Sequence, residues 1–205
     1  MKKILFTLAL LISFSSFGQT AEEYFSSGYD KAEAKDYYGA ISDYTKAIEL
    51  NPDTAAAYYN RGISKKKLKD YNGAISDYTK AIELDPNFAN AYYNRGISKK
   101  NLKDYNGAIS DYTKAIELNP NFANAYYNRG NSKHILKDYY GAISDYTKAI
   151  ELNPNDSMAY YNRGNSKKNL KDNYGAISDY TKAIELNPNA ADAYVNRGAS
   201  KEDLG

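Results

Sequence analysis

The sequence predicts an all-α solenoid, a stack of helical hairpins, on three observations. The block Gly73-Ala-Ile-Ser-Asp-Tyr-Thr-Lys-Ala-Ile-Glu-Leu84 occurs five times unchanged, starting at Gly39, Gly73, Gly107, Gly141 and Gly175, always 34 residues apart. A fixed period of this length marks an array whose units bury their apolar faces against their neighbours. Inside the block, Ala74, Ile75, Tyr78, Ala81 and Ile82 form one apolar stripe of period 3.6, so it reads as a helix. The remainder of each unit, such as Ala89 to Lys103, also reads as a helix, and the joints carry stop signals. Asp70 suits an N-cap, and Pro86 prevents the block helix from continuing.

Residues 1–18 are expected to lie outside the fold as a secretory signal peptide. Met1-Lys-Lys gives a positive start, Ile4 to Ile12 an apolar run, and Ser16-Phe17-Gly18 a small-residue cleavage site. The run is too short to anchor in a bilayer, so the mature chain is expected to be exported, to periplasm or exterior, with no membrane span. There are 27 Lys+Arg against 25 Asp+Glu. Loss of Lys2 and Lys3 leaves 25 against 25, so the chain is neutral and its charge gives no argument for nucleic acid.

Residues 19–205 then form one repeat domain. Thr20-Ala-Glu-Glu23 reads as a capping box. The first unit, 21–54, is atypical, as terminal units facing water usually are. Full units follow at 55–88, 89–122, 123–156 and 157–190. Residues 191–205 add one more first-type helix, either a cap on the stack or the start of a further unit.

Gly96 interrupts the first-type helix at a cost of about 1 kcal/mol against alanine. It recurs at Gly28, Gly62, Gly130, Gly164 and Gly198, which predicts close approach of another backbone. Lys99, Lys100 and Lys103 are read as crowding the last turn, where positive charge suits the helix dipole. Asp77 and Lys80, three apart, are expected to pair weakly on the surface.

Tyr58, Gly62, Ala74, Tyr78, Ala81 and Pro86 stand at the offsets of the tetratricopeptide repeat, which the unit resembles over residues 21 to 205. The resemblance implies antiparallel helix pairs in a right-handed superhelix, with a concave groove lined by the first helix of each pair. Three departures stand out. An arginine (Arg61, Arg95, Arg129, Arg163, Arg197) replaces the family's usual leucine before the glycine, and a lysine (Lys65, Lys99 and equivalents) its tyrosine three residues on. A glycine such as Gly73 replaces the acid before the constant alanine, removing the partner of a capping box, which is expected to loosen the second helix's start. The arginines are expected to pair between helices with the Asp77-type carboxylates.

Differences among the copies concentrate at the second, ninth, twelfth and thirteenth residues of the unit, spacings that share one helix face. The resemblance places that face in the groove. Candidate groove residues are the tyrosine ladder Tyr59, Tyr93, Tyr127 and Tyr161, the lysines Lys66, Lys67, Lys100 and Lys168, and the asparagines Asn131 and Asn165. The alternative is neutral variation on an exposed face. No catalytic or metal-binding constellation is legible: there is no cysteine, and the single histidine, His134, stands where other copies carry lysine and reads as a solvated surface variant. No cofactor is expected. The reading is a non-catalytic module that binds a protein or peptide partner. The alternatives are a scaffold working through self-association of its ends and, more weakly, a glycan-binding surface.

Overall fold

A computed structural model describes residues 19–205; the predicted signal peptide lies outside them. The described residues form eleven helices and no strand. They are α1 (Ala21–Glu33), α2 (Tyr37–Leu50), α3 (Ala55–Lys67), α4 (Tyr71–Leu84), α5 (Ala89–Asn101), α6 (Tyr105–Leu118), α7 (Ala123–Ile135), α8 (Tyr139–Leu152), α9 (Ser157–Asn169), α10 (Asn173–Leu186) and α11 (Ala191–Glu202). Odd-numbered helices are the first of each unit and even-numbered ones the second. None of the described helices is long and apolar enough to cross a membrane.

Each second helix starts on an aspartate. The carboxylates of Asp36, Asp70, Asp104, Asp138 and Asp172 accept from the backbone N–H of the glycine three residues on, at 2.9–3.0 Å. A Cβ on that glycine would collide with the carboxylate (2.1 Å from Asp70 Oδ2 at Gly73), so the glycine that removed the reciprocal half of the capping box makes room for the half that remains. At α1 the full capping box between Thr20 and Glu23 is present. The turn between the helices of a unit runs through Lys35, Lys69, Lys103, Lys137 and Lys171, all left-handed with φ of 62–65°. Lys103 therefore lies beyond α5, not in its last turn.

The core is built from small residues and one aromatic per unit. Ala74, Ala81 and Tyr78, with their equivalents, are fully or almost fully buried. The Tyr78 ring lies flush against Gly62, where an added Cβ would sit 2.8 Å from Cε1. What presses on the mid-helix glycine is thus a tyrosine ring, not the backbone that the sequence reading anticipated.

Four of the five arginines form the expected ion pairs; Arg197, with no second helix after it among the described residues, donates only to Thr181 Oγ1 at 3.4 Å. Arg61 grips Asp77 with two bonds, Nε to Oδ2 at 2.9 Å and Nη2 to Oδ1 at 2.7 Å, and donates a third to Thr45 Oγ1 of the preceding unit at 3.0 Å. One guanidinium thus ties α3 to both α2 and α4, and Arg95, Arg129 and Arg163 repeat the clasp. Lys65 reaches the same buried carboxylate at 2.8 Å. The weak pair expected between Asp77 and Lys80 does not form. Asp77 faces inward, and Lys80 pairs with Glu83 at 3.1 Å on the surface. In the first unit Ser27 takes the arginine's place on Asp43, beside Lys31, which stands where Lys65 does. Burial alone would raise the Asp43 pKa, but those two bonds outweigh it and hold the carboxyl below its ordinary value.

Each first helix touches the first helix of the next unit, α1 on α3 through α9 on α11, whereas among the described residues second helices touch only first helices. The stack is therefore tighter on the first-helix side. A stack tighter along one side bends toward it, so the first helices line the concave face.

Candidate ligand groove

The floor of that face is a network running from unit to unit. Asn94 on α5 donates from Nδ2 to Tyr59 Oη on α3 at 3.0 Å and to the Asn90 carbonyl at 3.0 Å. Its Oδ1 accepts from Lys66 Nζ, also on α3. Asn128 stands likewise between Tyr93 (3.0 Å) and Lys100 (2.7 Å). Asn162 donates to Tyr127 at 2.9 Å and to Asn131 Oδ1 at 3.3 Å, and Asn196 to Tyr161 at 3.0 Å and to Asn165 Oδ1 at 3.1 Å. The predicted ladder tyrosines and the polar residues of their helix thus converge in pairs on one asparagine of the next unit. The role of that asparagine was not read from the sequence. Its only signal there was constancy in every unit after the first.

The ladder tyrosines are half-buried, with their rings fixed. Tyr59 packs on Tyr78 at 5.9 Å and on Phe88 at 4.6 Å between centroids, and Tyr93 on Tyr112 and Phe122 at 5.9 and 4.6 Å. Burial raises the Tyr59 and Tyr93 pKa values, against the asparagine bonds that lower them.

Asn131 and Asn165 also face inward. Each Oδ1 accepts from the buried tyrosine of its own unit, Tyr146 at 2.7 Å and Tyr180 at 2.8 Å. Where the ninth residue is Ile63 or Ile97 instead, the buried hydroxyls of Tyr78 and Tyr112 meet no protein partner. Variation at that position therefore tracks the core as well as the groove.

Lys66 and Lys100 differ from their neighbours Lys65 and Lys99. The latter pair with buried aspartates at 2.8 Å. Lys66 and Lys100 point instead at amide oxygens that carry no charge. Burial pushes the Lys66 amine down to about 8, helped by the charge of Lys67, and pushes Lys100 down as well. Lys67 is exposed on the last turn of α3. Lys100 and Asn131 line one recess with His134, and Asn165 and Lys168 line another with Asn196. His134 is not the solvated variant expected. It is half-buried, its Nδ1 lies 2.8 Å from Ser166 Oγ, its ring meets Tyr139 edge-on at 5.3 Å, and burial lowers its pKa.

The sequence pattern of the tetratricopeptide repeat matches residues 55–88, 89–122, 123–156 and 157–190, and a second pattern described as TPR repeat matches residues 28–69. The chain belongs to the tetratricopeptide-repeat family. Among curated proteins no sequence matches it. Solved structures resemble it along most of its length. A MamA protein is 27% identical, covering 84% of this chain and 94% of its own, with a TM-score of 0.78. MamA from Desulfovibrio magneticus RS-1 is 22% identical over 85% of this chain and 98% of its own, with a TM-score of 0.79. YrrB, described as "a TPR protein with an unusual peptide-binding site", is 24% identical over 87% and 92%, with a TM-score of 0.78. The fold is the right-handed superhelical solenoid of these neighbours, a protein-interaction fold whose members are generally non-catalytic scaffolds.

Proposed function

We propose that this protein is an exported, non-catalytic interaction module that holds an extended peptide or protein segment along the first-helix face. The observation that carries the reading is the contrast between paired and unpaired lysines. Lys65 and Lys99 are neutralised by buried aspartates, while Lys66 and Lys100 hold their charge half-buried against neutral amides. A desolvated ammonium without a counter-charge is costly, and a carboxylate on a docked segment relieves that cost. Tyrosines pinned in one pose add contact area with little entropy left to lose. Export rests on the leader-like residues 1–18. That YrrB carries a described peptide-binding site supports the capacity of this fold to take a peptide.

The test is a crosslinking capture from the native cell envelope with residues 19–205 as bait, beside a bait carrying Lys66→Glu, Lys67→Glu and Lys100→Glu. The expected result is a partner held by the first bait and lost by the second at equal helicity, with the native protein's N-terminus found at Gln19 by mass spectrometry. Capture of the same set by both baits, or of the bait alone, would show a scaffold read through its ends or convex face.

A further inference from the structure

The last residue of the unit is Phe88 and Phe122 in the second and third units, Asp156, which caps α9, in the fourth, and Thr54 and Ala190 in the first and fifth. Phe88 lies on the Tyr59 ring at 4.6 Å, over Ala81 and Ala91. At the equivalent place in the fifth unit, Tyr161, Ala183 and Ala193 stand as Tyr59, Ala81 and Ala91 do, with Ala190 in place of the phenylalanine. The Tyr161 ring holds the same pose. Its hydroxyl accepts from Asn196 at 3.0 Å, as Tyr59 accepts from Asn94, and its centroid is 5.8 Å from Tyr180 against 5.9 Å for Tyr59 and Tyr78. The backbone agrees too, with φ −75° and ψ 76° at Ala190 against −78° and 77° at Phe88. What remains is a recess of about 310 Å³ bordered by Met158, Tyr161, Ala183, Ala190 and Ala193, with Asp192 exposed at its rim. A counterpart of about 250 Å³ lies between Phe25, Ala47, Ala57 and Thr54, again with an exposed carboxylate, Glu22, beside it.

We propose that these recesses receive aromatic side chains of the bound segment, each next to a basic residue drawn to Asp192 or Glu22. The inference rests on the groove reading and names the chemistry of its ligand. The array itself shows the occupant: the floor under Ala190, in the same pose, is covered by a phenylalanine ring two and three units away, and the recess at Thr54, floored by Phe25, stands one unit from Phe88. Aromatic pairs contribute beyond the area they bury, and the receiving ring is already oriented, so little is spent on ordering it. The rim carboxylates have no ion-pair partner among the described residues, which fits a lysine or arginine beside the aromatic.

The probe is acetyl-Lys-(4-fluoro-Phe)-Lys-amide, followed by fluorine NMR as protein is added. The wild-type chain is expected to broaden and shift the probe saturably. Thr54→Phe with Ala190→Phe closes both recesses from within and is expected to weaken binding at least about tenfold, the equivalent of one 1.4 kcal/mol step in affinity. A melting temperature no lower than wild type's would show that this variant still folds. Phe88→Ala opens a new recess over Tyr59 and is expected to increase the bound probe. The proposal is overturned if the closed variant titrates like wild type. It is equally overturned if sedimentation shows a wild-type dimer that the closed variant abolishes, since the occupant would then be a second copy of the chain. A native partner lost by the lysine-to-glutamate bait but retained by the closed variant would refute the recesses and leave the groove reading intact.

Discussion

Tyr112 and Tyr146 occupy the same place in adjacent units, both with buried hydroxyls, yet only Tyr146 has a protein partner, Asn131. Burial raises both phenols far above their ordinary pKa, so both are neutral donors at any physiological pH. Removing the bonded hydroxyl loses a hydrogen bond and leaves Asn131 Oδ1 only the longer bond from Asn162, whereas removing an unpartnered one loses nothing of that kind. Tyr146→Phe is therefore expected to destabilise the protein by about 1 kcal/mol and Tyr112→Phe by about zero, or to stabilise it slightly, in paired urea titrations. The difference was hidden in the sequence. The ninth residue stood out as variable, but only the structure shows that Asn131 turns inward to the tyrosine of its own second helix. The Arg61–Asp77 pair was legible because both residues recur in step and a buried-side arginine demands a carboxylate. His134 was misread because a lone substitution carries no periodicity from which burial can be inferred.

At the scale of the helix pair, the sequence placed every element. The stripe of the second helix, the aspartate before it and the proline after it are local signals, and local signals set helix ends. The turn within the hairpin was not seen. Lysine is a poor marker for a left-handed residue, yet Lys103 sits there with φ 64°. For a residue with a Cβ that conformation costs about 1–2 kcal/mol, part of which glycine gives back as extra freedom in the unfolded chain. Lys103→Gly, at an exposed position, is expected to stabilise the protein by about 0.5–1 kcal/mol, read as a rise in denaturation midpoint. The reason for the mid-helix glycine was also out of reach, because periodicity says that something approaches closely without saying what.

The array is a line of nearest-neighbour contacts, since among the described residues no helix touches any beyond the next unit's first helix. Such arrays gain stability unit by unit. Deleting residues 89–122 brings Asn128 to Tyr59 as Asn94 now stands, and Arg129 to Thr79 as Arg95 does. The shortened chain is expected to fold with unchanged helicity per residue. Its urea midpoint should fall, and its m-value should drop by about a fifth, in proportion to the surface lost. The architecture was legible at this scale because the period is exact in the sequence. The curvature came only through the family resemblance, because it depends on which helices meet across units.

The arginine clasp has a mechanical consequence. From Arg61 to Arg163, each guanidinium holds its own second helix by two bonds and the preceding unit by one. A pull on the two ends passes through these clasps in series, so each carries the same load. Because the clasps are alike, none is built to yield early, and a stretched array shares strain along its length as a coil spring does. Within each clasp the single bond to the preceding threonine is the compliant part and the doubled bond within the hairpin the stiff part, while the asparagine bonds to the ladder tyrosines share the load between units.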